Sequence, residues 1–215
     1  MSWHYSLART LIGVVLGPVT RWEVKGREHV PRSGGLIVAS NHISFWDPPL
    51  IGAALPRDLH YLAKEELFSN PVFGWTIRNF NAIPIRRGMV DLSGMARAIE
   101  TLRRGEAMML FPEGTRMRDG ELHPARPGVG MMAVNADVPI VPCYISGSNR
   151  PGRWLTRGVR VRISFGPARE WKELVGPGAD LTPGRALYQQ VGDAVMREIA
   201  RLRAEQGTTA TRGAV

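Results

Sequence analysis

Two short segments of the 215-residue chain carry residue types that could do chemistry together. In Asn41-His42-Ile43-Ser44-Phe45-Trp46-Asp47 an imidazole and a carboxylate stand five positions apart. An ordinary histidine titrates at about 6.5, so a neutral base is available at cellular pH. A carboxylate within reach of the ring can orient it and stabilise its protonated form. In Phe111-Pro112-Glu113-Gly114-Thr115-Arg116 a charged turn ends in arginine. Gly114 lets backbone amides approach an anion, Thr115 adds a hydroxyl donor, and Arg116 can grip a phosphate in a bidentate fork. A base in one segment and an anion grip in the other suggest acyl transfer onto a phosphate-bearing alcohol. Each segment alone also has a plainer reading. Asp47 before Pro48 suits the N-cap of a helix, and residues 113–116 suit a solvated turn.

Both segments follow apolar runs, Leu36-Ile37-Val38-Ala39 and Met108-Met109-Leu110-Phe111. Each therefore leaves the C-terminal end of a strand, where open α/β sheets place their ligands. Periodicity and punctuation predict helices over 3–19, 47–55, 71–79, 91–103, 129–136 and 182–204. They predict strands over 22–24, 36–40, 59–63, 82–85, 107–111, 138–145 and 159–165. The alternation predicts one α/β domain over 21–205, with a largely parallel or mixed central sheet flanked by helices. The closing helix should bury Leu187, Val191, Val195, Ile199 and Leu202. The small polar tail, 206–215, reads as disordered.

Residues 1–20 form an apolar to amphipathic helix, with Trp3, Leu7, Leu11 and Val14 on one side. About 17 residues is short for crossing a bilayer. Arg9, the glycines at 13 and 17, and the aromatic start at Trp3, His4 and Tyr5 suit a monotopic helix lying in one leaflet. Net charge is +9, carried by 25 arginines against three lysines, Lys25, Lys64 and Lys172. That balance favours anionic partners, an anionic membrane surface above all. No recognised nucleic-acid motif accompanies it, so no nucleic-acid partner is expected. The lone Cys143 excludes an internal disulfide, lies in a run that reads as a buried strand, and suits a cytoplasmic protein.

Other motifs are weaker. Gly128-Val129-Gly130-Met131-Met132-Ala133 matches a dinucleotide fingerprint by letters, but Pro-rich sequence rather than a strand precedes it. There is no Gly-x-Ser-x-Gly elbow. The histidines at 4, 29, 42, 60 and 123 are not spaced as metal ligands, and no metal is expected. Arg150, Arg153, Arg157, Arg160 and Arg162 form a basic stretch around Trp154.

At these residues the chain resembles the glycerolipid acyltransferase family and, within it, bacterial 1-acylglycerol-3-phosphate O-acyltransferases. The family's Asn-His-x-Ser-x-x-Asp motif is met in full by 41–47, its Phe-Pro-Glu-Gly-Thr-Arg motif by 111–116, and its Val-Pro-Ile-Val-Pro strand by 138–142. Lys64-Glu65-Glu66-Leu67-Phe68 resembles the lysine-bearing segment between them. The second motif, commonly Ile-Asp-Arg, is met by Ile85-Arg86-Arg87 with Arg86 in place of Asp.

The resemblance implies direct transfer without an acyl-enzyme. His42, oriented by Asp47, would be the base. Lys64, Glu113, Gly114, Thr115 and Arg116 would hold the acceptor's phosphate, and Arg87, as the second motif's arginine, would join the substrate-binding residues. The donor would be acyl-CoA or acyl carrier protein as co-substrate, with no other cofactor, and the acceptor a lysophospholipid acylated at sn-2 to give phosphatidic acid. The enzyme would sit on the cytoplasmic face of the cell membrane. Glycerol 3-phosphate, a lyso-ornithine lipid or a glycolipid remain alternative acceptors. A non-catalytic anionic-membrane or nucleic-acid binder is the alternative of another class.

Overall fold

The computed structural model describes residues 3–86, 91–156 and 158–212. In chain order its elements are α1 (Trp3–Thr20), β1 (Glu23–Lys25), β2 (Leu36–Ser40), α2 (Asp47–Ala54), β3 (Leu59–Lys64), α3 (Pro71–Asn79) and β4 (Ala82–Ile85). They continue with α4 (Leu92–Arg103), β5 (Ala107–Leu110), α5 (Gly128–Ala136), β6 (Ile140–Ser146), β7 (Arg162–Phe165), α6 (Trp171–Val175) and α7 (Arg185–Arg212).

The described strands join in one sheet of order β1-β7-β6-β2-β5-β3-β4. Strands β2 to β6 run parallel to one another, whereas β7 is antiparallel to β6 and carries β1 parallel to itself. The mixed, largely parallel sheet is the architecture expected from the alternating pattern. Its central strands are buried on both faces, which is why Leu36–Ser40, Ala107–Leu110 and Ile140–Ile145 read as apolar runs rather than alternations.

Successive residues of β2 feed opposite faces. Ile37 and Ala39 join a core made with α4, α5, α6 and α7, while Leu36 and Val38 join one made with α2 and the inner side of α1. Leu50 and Ile51 of α2 are fully buried in the second core, each worth about 1.5–3 kcal/mol of burial. Leu187, Val191, Val195, Ile199 and Leu202 of α7 are all buried, as their spacing predicts. Gly130 of the fingerprint-like run is a packing glycine, since a Cβ there would lie 2.1 Å from the Tyr188 carbonyl oxygen of α7.

Two expectations are corrected. The closing helix does not end before Gln206, because α7 continues to Arg212, and residues 213–215 of the expected tail lie outside the described residues. The Gln206 side chain is buried, donates to Ser164 Oγ at 2.8 Å and accepts from Ser146 Oγ at 2.9 Å, so β6 and β7 hold that turn of helix in place. Nor is Asp47 the N-cap of α2. Trp46 holds that position without a side-chain cap, and the Asp47 carboxylate is turned back toward the loop before it.

The apolar stripe expected on α1 faces outward at Leu7, Leu11 and Val14, and the Trp3 side chain lies outside what is described. Leu7, Leu11, Val14 and Val15 are 50–66% exposed, while Tyr5 is buried and Leu16 and Val19 pack on the core. Among the described residues no helix is long and apolar enough to cross a membrane.

Candidate active site

Strands β2 and β5 are parallel neighbours, with Ala39 opposite Leu110, so the loops 41–47 and 111–116 leave the same edge of the sheet side by side. Three contacts made by His42 help bind those loops together. The His42 amide donates to Glu113 Oε2 at 2.9 Å, the Met117 amide donates to the His42 carbonyl at 2.7 Å, and the His42 ring stacks on Phe111 with centroids 3.9 Å apart.

Within the first loop, His42 Nδ1 lies 2.9 Å from Asp47 Oδ2. The same oxygen accepts from the amides of Ile43 at 2.8 Å and Ser44 at 2.7 Å. The other carboxylate oxygen, Oδ1, accepts from Ser148 Oγ at 2.5 Å. Asp47 is fully buried and His42 keeps 15% of its side chain exposed. A carboxylate that accepts from four donors orients the ring with Nδ1–H toward Oδ2, which leaves Nε2 as the basic nitrogen of the neutral ring.

Behind this loop Asn41, 1% exposed, completes the edge of β6. Its side-chain carbonyl accepts from the Ile145 amide at 2.8 Å and its amide group donates to the Ile145 carbonyl at 3.0 Å. Asn41 thus acts as one more ladder residue that fixes where the chain turns toward His42. Cys143, on the buried strand β6, has its thiol pushed up by burial, which makes it inert.

The second loop departs from expectation at Glu113. Its side chain is 1% exposed, and its two oxygens accept from the His42 amide and, at 3.2 Å, the His123 amide. Burial pushes this carboxyl above its usual range, and the two amide bonds oppose that shift. An enclosed carboxylate with both oxygens engaged holds loops together and does not grip phosphate. Gly114 is likewise a turn residue. Its φ is +72°, its amide donates to the Phe111 carbonyl at 2.9 Å, and a Cβ would lie 2.7 Å from Arg126 Cδ.

Thr115 is exposed and Arg116 half-buried at the same edge. The Arg116 guanidinium stacks on the Phe45 ring, 3.2 Å from its centroid. That contact joins the 111–116 segment to the loop bearing His42 and Asp47. Lys64 ends β3, the parallel neighbour of β5 on the far side from β2, and is exposed at the same sheet edge. Arg87 lies outside the described residues. Its neighbour Arg86 follows β4 and pairs with Glu65 at 2.7 Å, tying that strand end to the Lys64 segment.

Local spacing missed Ser148 and Asn41. Asn41 stood inside the first motif as a strand-end polar residue, whereas Ser148 meets Asp47 across 101 positions of sequence. The basic stretch after Ser148 comes near the site through Trp154, whose ring meets Trp46 edge to face at 5.6 Å.

A family model described as Acyltransferase matches residues 21–146. The chain is 28% identical over 187 residues to a chloroplastic 1-acyl-sn-glycerol-3-phosphate acyltransferase of Brassica napus, covering 84% of this chain and 53% of that protein. It therefore spans about half the length of that relative. It is 34% identical over 157 residues to the lyso-ornithine lipid O-acyltransferase of Pseudomonas aeruginosa, covering 66% of this chain and 60% of that one. The fold is similar to the crystal structure of the 1-acyl-sn-glycerophosphate (LPA) acyltransferase PlsC from Thermotoga maritima, with TM-score 0.66 and 27% identity, covering 95% of this chain and 84% of that one. Both motif loops, and the strands β1 to β6 that carry and surround them, fall inside the matched region, and the chain belongs to the acyltransferase family.

Proposed function

We propose that the protein is an O-acyltransferase that moves a fatty acyl group from acyl-CoA or acyl carrier protein to the sn-2 hydroxyl of 1-acylglycerol 3-phosphate, giving phosphatidic acid. The observation that carries this reading is the His42–Asp47 pair, 2.9 Å apart at the sheet edge that also presents Arg116.

In this reading Nε2 of His42 accepts the hydroxyl proton as the acceptor oxygen attacks the thioester carbonyl. A C–O bond forms, the tetrahedral intermediate collapses, and the C–S bond breaks. The imidazolium then returns the proton to the leaving thiolate, and no acyl-enzyme forms. Asp47 stabilises the imidazolium throughout. Arg116 and Lys64 hold the acceptor's phosphate so that its hydroxyl lies near Nε2, and that positioning supplies much of the rate.

The names of the Brassica and Thermotoga proteins support lysophosphatidate as acceptor. The 34% identity to the Pseudomonas enzyme favours a second reading, the same transfer onto a lyso-ornithine lipid. Thiol release from an acyl thioester, measured with lysophosphatidate, glycerol 3-phosphate, lyso-ornithine lipid and a neutral monoacylglycerol, separates the two. The first reading expects lysophosphatidate to give the highest kcat/KM. A preference for lyso-ornithine lipid selects the second, and no thiol release with any acceptor overturns both.

The acceptor resides in a bilayer, so we also propose a peripheral, monotopic enzyme on the cytoplasmic face of the membrane. Support comes from the outward Leu7, Leu11, Val14 and Val15 of α1 and from the net charge of +9.

A further inference from the structure

We propose that Ser148 is a positioning residue for the transfer: its hydroxyl sets the rotation of the Asp47 carboxylate and, through it, the His42 ring. The inference rests on His42 being the base, and it extends that reading to the far side of the dyad.

The asymmetry of the Asp47 contacts carries the argument. Three N–H donors, from His42, Ile43 and Ser44, converge on Oδ2. The Ser148 hydroxyl at 2.5 Å is what holds Oδ1. Donors gathered on one oxygen fix its place but leave the other oxygen able to swing around it as the Cα–Cβ and Cβ–Cγ bonds turn together. A donor on the other oxygen removes that freedom. Both residues are fully buried, so water cannot replace the hydroxyl without opening the site.

Ser148 is itself held from two sides. Before it, Asn41 clamps both backbone groups of Ile145. After it, Trp154 donates its indole N–H to the Gly147 carbonyl at 3.0 Å and meets Trp46, the neighbour of Asp47. Gly147 has φ +79°, and a Cβ there would lie 2.3 Å from the Arg160 carbonyl oxygen, so the turn that aims Ser148 inward requires glycine. A strand end, a glycine turn and two tryptophans thus place one hydroxyl against the dyad. The other titratable groups around it are Glu113, bonded to the His42 amide, and the Cys143 thiol on β6 behind Asp47.

The test compares Ser148→Ala, Ser148→Cys and Ser148→Thr with His42→Ala, using thiol release from acyl thioester with lysophosphatidate. Ser148→Ala should lower kcat roughly 10- to 100-fold with KM within about two-fold, the size expected when one hydrogen bond to a charged group is lost. Its acid limb in the pH profile should move upward, because a less stabilised carboxylate makes the imidazole more basic. Ser148→Cys, nearly isosteric but a weak donor, should show the same pattern and keeps the test decisive if the alanine variant does not fold. Ser148→Thr keeps a hydroxyl and should regain most of the rate. Wild-type kcat and an unchanged pH profile in a folded Ser148→Ala or Ser148→Cys protein overturn the inference. If His42→Ala remains active, the reading of the base itself fails instead.

Discussion

The His42 imidazole lies face to face on the Phe111 ring, with planes 18° apart and centroids 3.9 Å apart. One ring leaves β2 and the other leaves β5, so this stack is where two adjacent strand ends become one site. Stacking fixes the plane of the imidazole, Asp47 fixes its in-plane direction, and Glu113 fixes the backbone beneath it. In the proposed transfer, a base held on three sides loses little freedom when it engages the acceptor.

Asp47→Asn should lower kcat by roughly 10²- to 10⁴-fold. It should also lower the melting temperature. Asparagine offers one acceptor oxygen where the carboxylate meets four donors, so an amide N–H must face another donor. Kinetics and thermal unfolding on the same preparation check both. Retained stability with lost rate would show that the loop tolerates an unpaired donor at this position.

Glu113→Gln should reduce kcat equally for charged and neutral acceptors, because the side chain organises the loops and does not touch phosphate. An amide side chain leaves one of the two backbone donors facing an NH₂ group, a cost of about 1–3 kcal/mol. Burial raises the folded-state pKa of Glu113 above its unfolded value. Its stability contribution is therefore fully present below the unfolded pKa and is lost as pH rises through the folded one. The destabilisation caused by Glu113→Gln should then grow as pH falls through the folded-state pKa toward the unfolded one. A selective loss of lysophosphatidate use would instead return Glu113 to the phosphate site.

Arg116→Ala should lower kcat/KM for lysophosphatidate by roughly 10- to 150-fold and for a neutral monoacylglycerol by far less. Phe45→Leu removes the ring under the guanidinium, and a cation–π contact at an exposed ring predicts a smaller loss, about two- to five-fold, with the same acceptor selectivity. Equal losses for both acceptors would make the Arg116 turn purely structural.

Replacing Leu11 and Val14 of α1 by glutamate should leave the melting temperature nearly unchanged, since these side chains are already 54% and 66% exposed. Sedimentation with anionic liposomes should weaken by at least about 100-fold, because two apolar groups no longer insert. Undiminished sedimentation would place the membrane contact elsewhere on the protein.

Much of this was legible in the residues. Strand 36–40, helix 71–79 and strand 82–85 fall where periodicity puts them, because long apolar runs and Pro or Gly punctuation act locally. The pairing of His42 with Asp47 was legible too, since five positions of loop can close on themselves. What the sequence concealed depends on distant partners. Glu113 reads as a solvated charge until β5 sets it beneath the His42 amide. Gln206 reads as tail until β6 and β7 offer it hydroxyls, and Ser148 is an ordinary loop serine until Asp47 lies beside it.

The central claim is that His42 is the base for acyl transfer, and its most direct test is kcat/KM for thiol release with lysophosphatidate in His42→Ala against wild type, with circular dichroism confirming an unchanged fold. The account predicts a fall of at least roughly 10²- to 10⁴-fold. A folded His42→Ala protein that transfers within a few-fold of wild type would contradict it.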